Sequence, residues 1–194
     1  MALIIWAICG YLLGSVPFGL VITRAMGLGD LRQIGSGNIG ATNVLRTGSK
    51  GAALATLLLD SGKGALAVLA ARAMAGEDAA LVAGVAAFLG HLYPVWLGFR
   101  GGKGMATFLG TLGAMFWPLG LIACGIWLVV AALGRMSSLS SMISAATTPL
   151  VAVLLGQQKL AMACAIMAAL ILWRHRANIA RIRQGTEPRI GKKG

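Results

Sequence analysis

Acidic residues are scarce in this chain. Five Asp and Glu stand against 17 Lys and Arg among 194 residues, for a net charge of +12. Charged residues make up only 11% of the chain, where an ordinary soluble domain carries roughly a quarter. The basic excess does not describe a nucleic-acid binder. Such a protein spreads its cations among polar residues, whereas here they sit in short clusters between long uncharged runs. Nor does it describe a disordered basic tail, because 58% of the residues are hydrophobic. Cysteine is nearly absent as well. Cys9, Cys124 and Cys164 lie far apart, each inside an apolar run. An odd count without paired spacing argues against a disulfide framework or a zinc site, and small buried thiols are expected instead. No basic residue precedes Arg24, so a cleavable signal peptide is not expected at the start.

What is present in quantity is apolar sequence. Uncharged or nearly uncharged runs cover residues 2–23, 51–71, 79–97, 104–134, 136–158 and 160–173, with Asp60 and Lys63 interrupting the 51–71 run. The 104–134 run is too long for one span. A single helix of that length would measure about 46 Å, against a hydrocarbon core of about 30 Å. Trp117 and Pro118 lie near its middle, and proline disrupts a helix interior while tryptophan favours the membrane interface. Two spans joined at Pro118 are expected, the first short for a full crossing and starting below the membrane surface. The expectation is therefore an all-α, polytopic membrane protein of one domain over residues 1–194, with seven transmembrane helices.

Charge placement orients it. With the N-terminus outside and the C-terminus cytoplasmic, the inner loops hold Arg24, Arg32, Arg46, Lys50, Arg100, Lys103 and Arg135. The inner tail holds Arg174, Arg176, Arg181, Arg183, Arg189, Lys192 and Lys193, and the outer loops hold only Arg72 and Lys159. Six spans would put the basic tail outside, against the positive-inside rule. Gly10 and Gly14 form a G-x-x-x-G in the first span, which predicts close helix packing.

Three polar segments then share the cytoplasmic face. The first runs from Asp30 to Arg46 and contains Gly35, Ser36, Gly37, Asn38, Gly40, Thr42 and Asn43. Its literal G-x-G-x-x-G is not a dinucleotide fingerprint, because no strand precedes it and no βαβ unit surrounds it. Glycines nevertheless let several backbone N–H groups converge on one anion, with Ser, Thr and Asn as further donors. The second runs from Gly90 to Thr107 and contains His91, Gly101, Gly102, Lys103 and Gly104. It is not a Walker A loop, since Leu97 stands where the first glycine belongs. Even so, Lys103 is a point charge on a loop whose backbone approaches a phosphate closely. The third places His175 and Asn178 three residues apart on one helix face, continued by Arg181, and ends at Glu187. Asp60 and Lys63, also three apart, read either as a structural ion pair or as a phosphate-binding lysine held by its carboxylate.

These segments resemble the signature motifs of the bacterial acyl-phosphate:glycerol-3-phosphate acyltransferases. Ser15-Val16-Pro17-Phe18-Gly19 leading into Gly35–Asn43 is similar to the family's first motif. Gly90-His91-Leu92-Tyr93-Pro94 through Gly101–Thr107 is similar to its second motif. His175-x-x-Asn178-x-x-Arg181, followed by Gly185-x-Glu187, is similar to its third. The resemblance covers the whole chain, with mild departures at Arg100 and Ile182. It implies a seven-helix bundle in the cell inner membrane with a cytoplasmic active site. It also implies transfer of a fatty acyl group from acyl-phosphate to the sn-1 hydroxyl of glycerol 3-phosphate, giving lysophosphatidic acid for phospholipid synthesis.

No cofactor, metal or nucleic acid is expected. The expected partners are the two substrates, the bilayer and, functionally, the enzyme that makes acyl-phosphate. The expected catalytic residues are Ser36, Lys103, His175 and Asn178. Phosphate binding is expected from Gly35, Gly37, Asn38, Thr42, Asn43, Arg46, Lys63, Gly102 and Gly104, with His91, Asp60, Arg181 and Glu187 in support. A transporter of small organic anions is the alternative class. It predicts an inverted repeat and polar residues strung through the spans, and the sequence has neither.

Overall fold

The computed structural model describes residues 1–191; Lys192 and Lys193, counted above with the basic tail, lie outside the described residues. All regular structure among the described residues is helical. The helices are α1 (Ala2–Gly14), α2 (Phe18–Ala25), α3 (Ala41–Val44), α4 (Lys50–Ala75), α5 (Glu77–Leu92), α6 (Met105–Met115), α7 (Trp117–Gly134), α8 (Ser137–Leu154), α9 (Gln158–Arg174) and α10 (Arg176–Arg183). Five stretches are long and apolar enough to cross a membrane: 2–25, α4, 77–97, α7 and α8. A sixth is reached if α9 and α10, bent by 57°, count as one span. α6 falls short on its own, because 11 residues span about 16 Å. Large apolar side chains such as Leu54, Leu58, Leu66 and Leu69 point outward from α4, as they do when lipid is the solvent.

The chain forms two compact units, Met1–Met115 and Phe116 onward. In the first, α1 packs on α5, and α4 packs on both α5 and α6. The expected small-residue packing is there. A Cβ on Gly10 or Gly14 would collide with the backbone of Ala83 or Ala87 in α5, and one on Gly90 with the carbonyl of Tyr11. Gly64 and Gly110 give α4 and α6 the same intimacy, against Thr107 and Ser61 respectively. The core behind these contacts is built from Ala67, Val68, Ala71, Ala79, Ala80, Ala83 and Ala87, a small-residue set that lets backbones approach.

The first apolar run is not one straight helix. It breaks at Ser15–Pro17, where Pro17 lacks the N–H that would continue the ladder. Gly76, at φ +83°, turns the chain between α4 and α5. Arg72 donates to the carbonyls of Ala114 and Met115 and pairs with Glu77. It therefore satisfies the end of α6, whose last carbonyls have no intrahelical partner.

In the second unit α8 packs against α7 on one side and α9 on the other. The expected break in the 104–134 run falls at Phe116, with Pro118 in the first turn of α7, where its missing N–H is harmless. α8 carries a buried polar face. Ser144 donates to the carbonyl of Ala123 in α7 (2.7 Å), and Trp127 Nε1 donates to Ser141 Oγ (3.2 Å).

Candidate active site

The first polar segment folds over a small apolar cluster of Leu20, Leu31, Ile39, Val44, Ala52 and Ala53. Gly35 and Gly37 have φ of +54° and +67°, the region that L side chains rarely adopt. Asn43, 1% exposed, organises the loop. Its Nδ2 donates to the carbonyls of Leu31 and Ile34, both at 2.9 Å. Its Oδ1 accepts from the Ser36 backbone at 3.2 Å and from Ser36 Oγ and Arg46 Nη1 at 3.4 Å each. Both amide donors are engaged within the loop, so what Asn43 contributes to an anion is the placement of Ser36 and Arg46. Ser36, Thr42 and Arg46 are exposed. Gly40 precedes the single turn of α3, with Asn38 Nδ2 alongside it. At the loop's edge Arg32 pairs with Asp30 at 2.6 Å. The side-chain and backbone hydrogen bonds from Arg32 hold the Asp30 carboxyl down to about 2.

The second segment doubles back on the end of α5. The Gly101 and Gly102 N–H groups donate to the carbonyls of Leu92 and His91, both at 3.1 Å. A Cβ on Gly102 would strike the His91 ring, and one on Gly101 the His91 carbonyl. Gly104, at φ +90°, lies against Phe88 and leads into α6. Lys103, half-buried, therefore sits on a loop pressed flat against α5, just before the first turn of α6. Arg32, Leu97, Gly98 and Arg100 line one groove, so the first and second segments border a common, cationic opening. Below them Asp60 accepts from Lys63 at 2.8 Å and lies 3.6 Å from His91 Nδ1. Lys63 also donates to the carbonyl of Val16 at 2.8 Å and sits over the Phe18 ring.

The third segment belongs to the second unit. His175, 3% exposed, lies at the bend from α9 to α10. Its Nδ1 meets the Ile171 carbonyl at 2.8 Å. A carbonyl only accepts, so Nδ1 carries a proton in this contact. Glu187 gathers the rest. Its Oε1 accepts from Ser138 Oγ and Asn178 Nδ2 at 2.6 Å each, and its Oε2 from Arg181 Nε at 2.8 Å. Burial works against ionisation of Glu187. The hydrogen bonds from Ser138, Asn178 and Arg181 outweigh it and hold the carboxyl below its ordinary range.

Of the expected residues, the structure joins Ser36, Asn43 and Arg46 in one loop, and Asp60, Lys63, His91 and Gly102 in another cluster. It joins Asn178, Arg181 and Glu187 in a third. Sequence reasoning missed Ser138, whose only signal is a serine-rich start to an apolar helix. It also missed Tyr11, whose hydroxyl donates to the carbonyl of Tyr93 at 2.7 Å and ties α1 to the end of α5.

An all-helical scaffold with several apolar spans and polar, glycine-rich loops that expose Ser, Thr and Arg defines an integral membrane protein. The comparisons make the class specific. The family model for glycerol-3-phosphate acyltransferase matches residues 4–185. A glycerol-3-phosphate acyltransferase of Cereibacter sphaeroides is 69% identical, over 99% of this chain and 96% of its own. That of Ruegeria sp. is 65% identical, over 98% and 95%. Among solved structures, PlsY (YgiH), an integral membrane glycerol 3-phosphate acyltransferase in its glycerol 3-phosphate form, superposes with a TM-score of 0.93 at 38% identity. That match covers 98% of this chain and 96% of PlsY. The chain belongs to the glycerol-3-phosphate acyltransferase family: it is an acyltransferase of the membrane, acting in phospholipid synthesis.

Proposed function

We propose that this enzyme takes its acyl group from acyl-phosphate and delivers it to the sn-1 hydroxyl of glycerol 3-phosphate, releasing lysophosphatidic acid and inorganic phosphate. The observation that carries this is the pair of glycine-backbone loops in one unit, one exposing Ser36, Thr42 and Arg46 and the other bearing Lys103. Both substrates carry a phosphate, and one of them is a lipid, which accounts for a catalyst embedded in the membrane. The solved structure of PlsY in a lysophosphatidic acid form, at TM-score 0.91 and 37% identity, supports the product.

The mechanism is direct transfer. The C1 hydroxyl oxygen of glycerol 3-phosphate attacks the acyl carbonyl carbon, an ester C–O bond forms, and the mixed-anhydride C–O bond breaks to release phosphate. That leaving group needs charge stabilisation more than protonation. The Gly35–Gly40 loop, Arg46 and the Gly102–Gly104 loop with Lys103 hold the phosphates, and His175 and Asn178 orient the acceptor. The hydroxyl proton goes to the acceptor's own phosphate, whose second pKa is about 6. Ser36 serves as a donor to phosphate and forms no acyl-enzyme. The helices sit in the cell inner membrane with the N-terminus outside and the C-terminus and active site on the cytoplasmic side. α6 begins below that surface, making seven embedded helices in all.

Purified protein in detergent tests the reading. It should consume acyl-phosphate only when glycerol 3-phosphate is present, and consumption without acceptor, or none at all, refutes it. Lys103→Ala and Ser36→Ala should each lower kcat/KM by about 10- to 150-fold, the equivalent of one charge-assisted hydrogen bond, with little change in thermal stability.

A further inference from the structure

The structure assigns Asp60, Lys63 and His91 a positioning role: together they form a buried charged cluster that fixes the Lys103 loop relative to the first signature loop. The assignment rests on the reading of those loops as phosphate seats. Asp60 and Lys63 are 2% and 3% exposed, inside a membrane-spanning helix. Charges there are costly and are found where they serve function. Well-packed apolar residues would fill the same space with equal or better stability. What a packed hydrocarbon pair lacks is direction.

The cluster's contacts lead two ways. Lys63 donates to Asp60 and to the Val16 carbonyl, at the break between α1 and α2. Three residues on, Gly19 lies so close to the carbonyl of Ile39 that no side chain fits between them. Ile39 in turn precedes Gly40 and the turn that carries Asn43. Toward the other loop, Asp60 faces His91 Nδ1 at 3.6 Å. The His91 ring lies against Gly102, and the His91 carbonyl holds the Gly102 N–H. Lys103 is the next residue. One carboxylate therefore stands between the two segments that present cations and backbone N–H groups. Lys63 itself is committed to Asp60, Val16 and the face of Phe18, so it acts on substrate through these neighbours.

The test is a double-mutant cycle on the purified full-length enzyme, with initial rates measured against glycerol 3-phosphate at a saturating long-chain acyl phosphate. Gly102→Ala pushes a methyl into the His91 ring. It should raise KM about tenfold while changing kcat less than about threefold, since an ångström-scale misplacement alone can cost up to about 100-fold. His91→Ala should raise KM as well. The double variant should be no worse than His91→Ala alone, because the clash has gone. Multiplying effects would overturn the assignment.

A separate arm removes both charges together with Asp60→Leu/Lys63→Met, which leaves no unpaired charge behind. KM should again rise with the melting temperature unchanged, and Lys63→Arg should retain near-normal KM. Wild-type kinetics in the charge-free variant would overturn the assignment; if that variant does not fold, the cycle at His91 and Gly102 decides. Normal kinetics for Lys103→Ala would remove the phosphate-seat reading itself. An impaired Lys103→Ala beside multiplying effects in the cycle would remove this inference alone.

Discussion

Two polar regions, one in each unit, are organised in opposite ways. In the first unit, the Leu31–Arg46 region is organised from within by a neutral amide. Asn43 engages two carbonyls and an N–H, while Ser36, Thr42 and Arg46 remain on the exposed side. In the other unit, a carboxylate gathers the donors inward: Ser138, Asn178 and Arg181 all converge on Glu187, whose side chain is 6% exposed. The neutral organiser leaves the loop's cationic character available to a ligand. The charged organiser neutralises an arginine and ties down the 184–191 segment, which Ile190 also secures through paired contacts with Arg135. An amide organises a loop without adding charge to it, whereas a carboxylate draws cations to itself.

Removing the organisers breaks the comparison most severely. Glu187→Ala strands three donors, one of them charged, and should cost about 3 to 5 kcal/mol. It should also release the tail, seen as a lower melting temperature and faster proteolysis after α10. The same carboxylate predicts a pH dependence. Its folded pKa lies below the ordinary 4.5. Its contribution is therefore complete above that value and is lost as pH falls through the lowered folded value. Thermal melts from neutral into acid pH should show tail release only at the acid end, and Glu187→Gln should flatten that limb.

Asn43→Ala should cost less, about 1 to 2 kcal/mol, because the Ser36 N–H loses its acceptor while the carbonyls of Leu31 and Ile34 keep one backbone donor each, the N–H of Ile34 and that of Gly37. Hydrogen exchange should rise across residues 31–46 and leave α8–α10 unchanged. Asn43→Asp sharpens the contrast. It keeps the shape but turns an oxygen toward the carbonyls of Leu31 and Ile34 in place of the donor Nδ2 and adds a negative charge beside Ser36 and Arg46, so stability should fall further than in Asn43→Ala and KM for glycerol 3-phosphate should rise.

His175→Ala should slow turnover by misplacing the acceptor while leaving the rate profile between about pH 6 and 7 unchanged, because the titrating group belongs to the substrate. Loss of the acidic limb in that variant would make His175 the base. The smallest effect is expected at Arg183, exposed on α10. Arg183→Ala should be indistinguishable from the parent in both rate and melting temperature.

The scaffold is legible in the sequence wherever hydropathy alone determines it. The break near Pro118 and the packing of Gly10 and Gly14 follow from chain length, proline and small residues. The break at Ser15–Pro17 is hidden, because apolar content continues straight through it and only the missing N–H of Pro17 marks it. α6 shows the same limit from the other side, since an uncharged run says nothing of how much of it is helical. At the candidate site, residue types and spacing identify the loops but not the division of labour within them. Asn43 and Ser36 look alike as polar loop residues, and only the fold shows that one faces inward and the other outward. The partnership of Asp60 with His91, 31 residues on in sequence, and that of Glu187 with Ser138 depend on helices meeting. Local spacing carries no trace of either.

The guanidinium of Arg72 on the last carbonyls of α6 makes that short helix a lever with a fixed end. Its other end carries the loop of Lys103. Over a rod of about 16 Å, a tilt of about 4° moves the far tip by about 1 Å, a displacement on the scale that matters for positioned groups. The accuracy of the Lys103 loop is thus set in part by a clamp at the opposite end of α6, where no substrate is expected to reach.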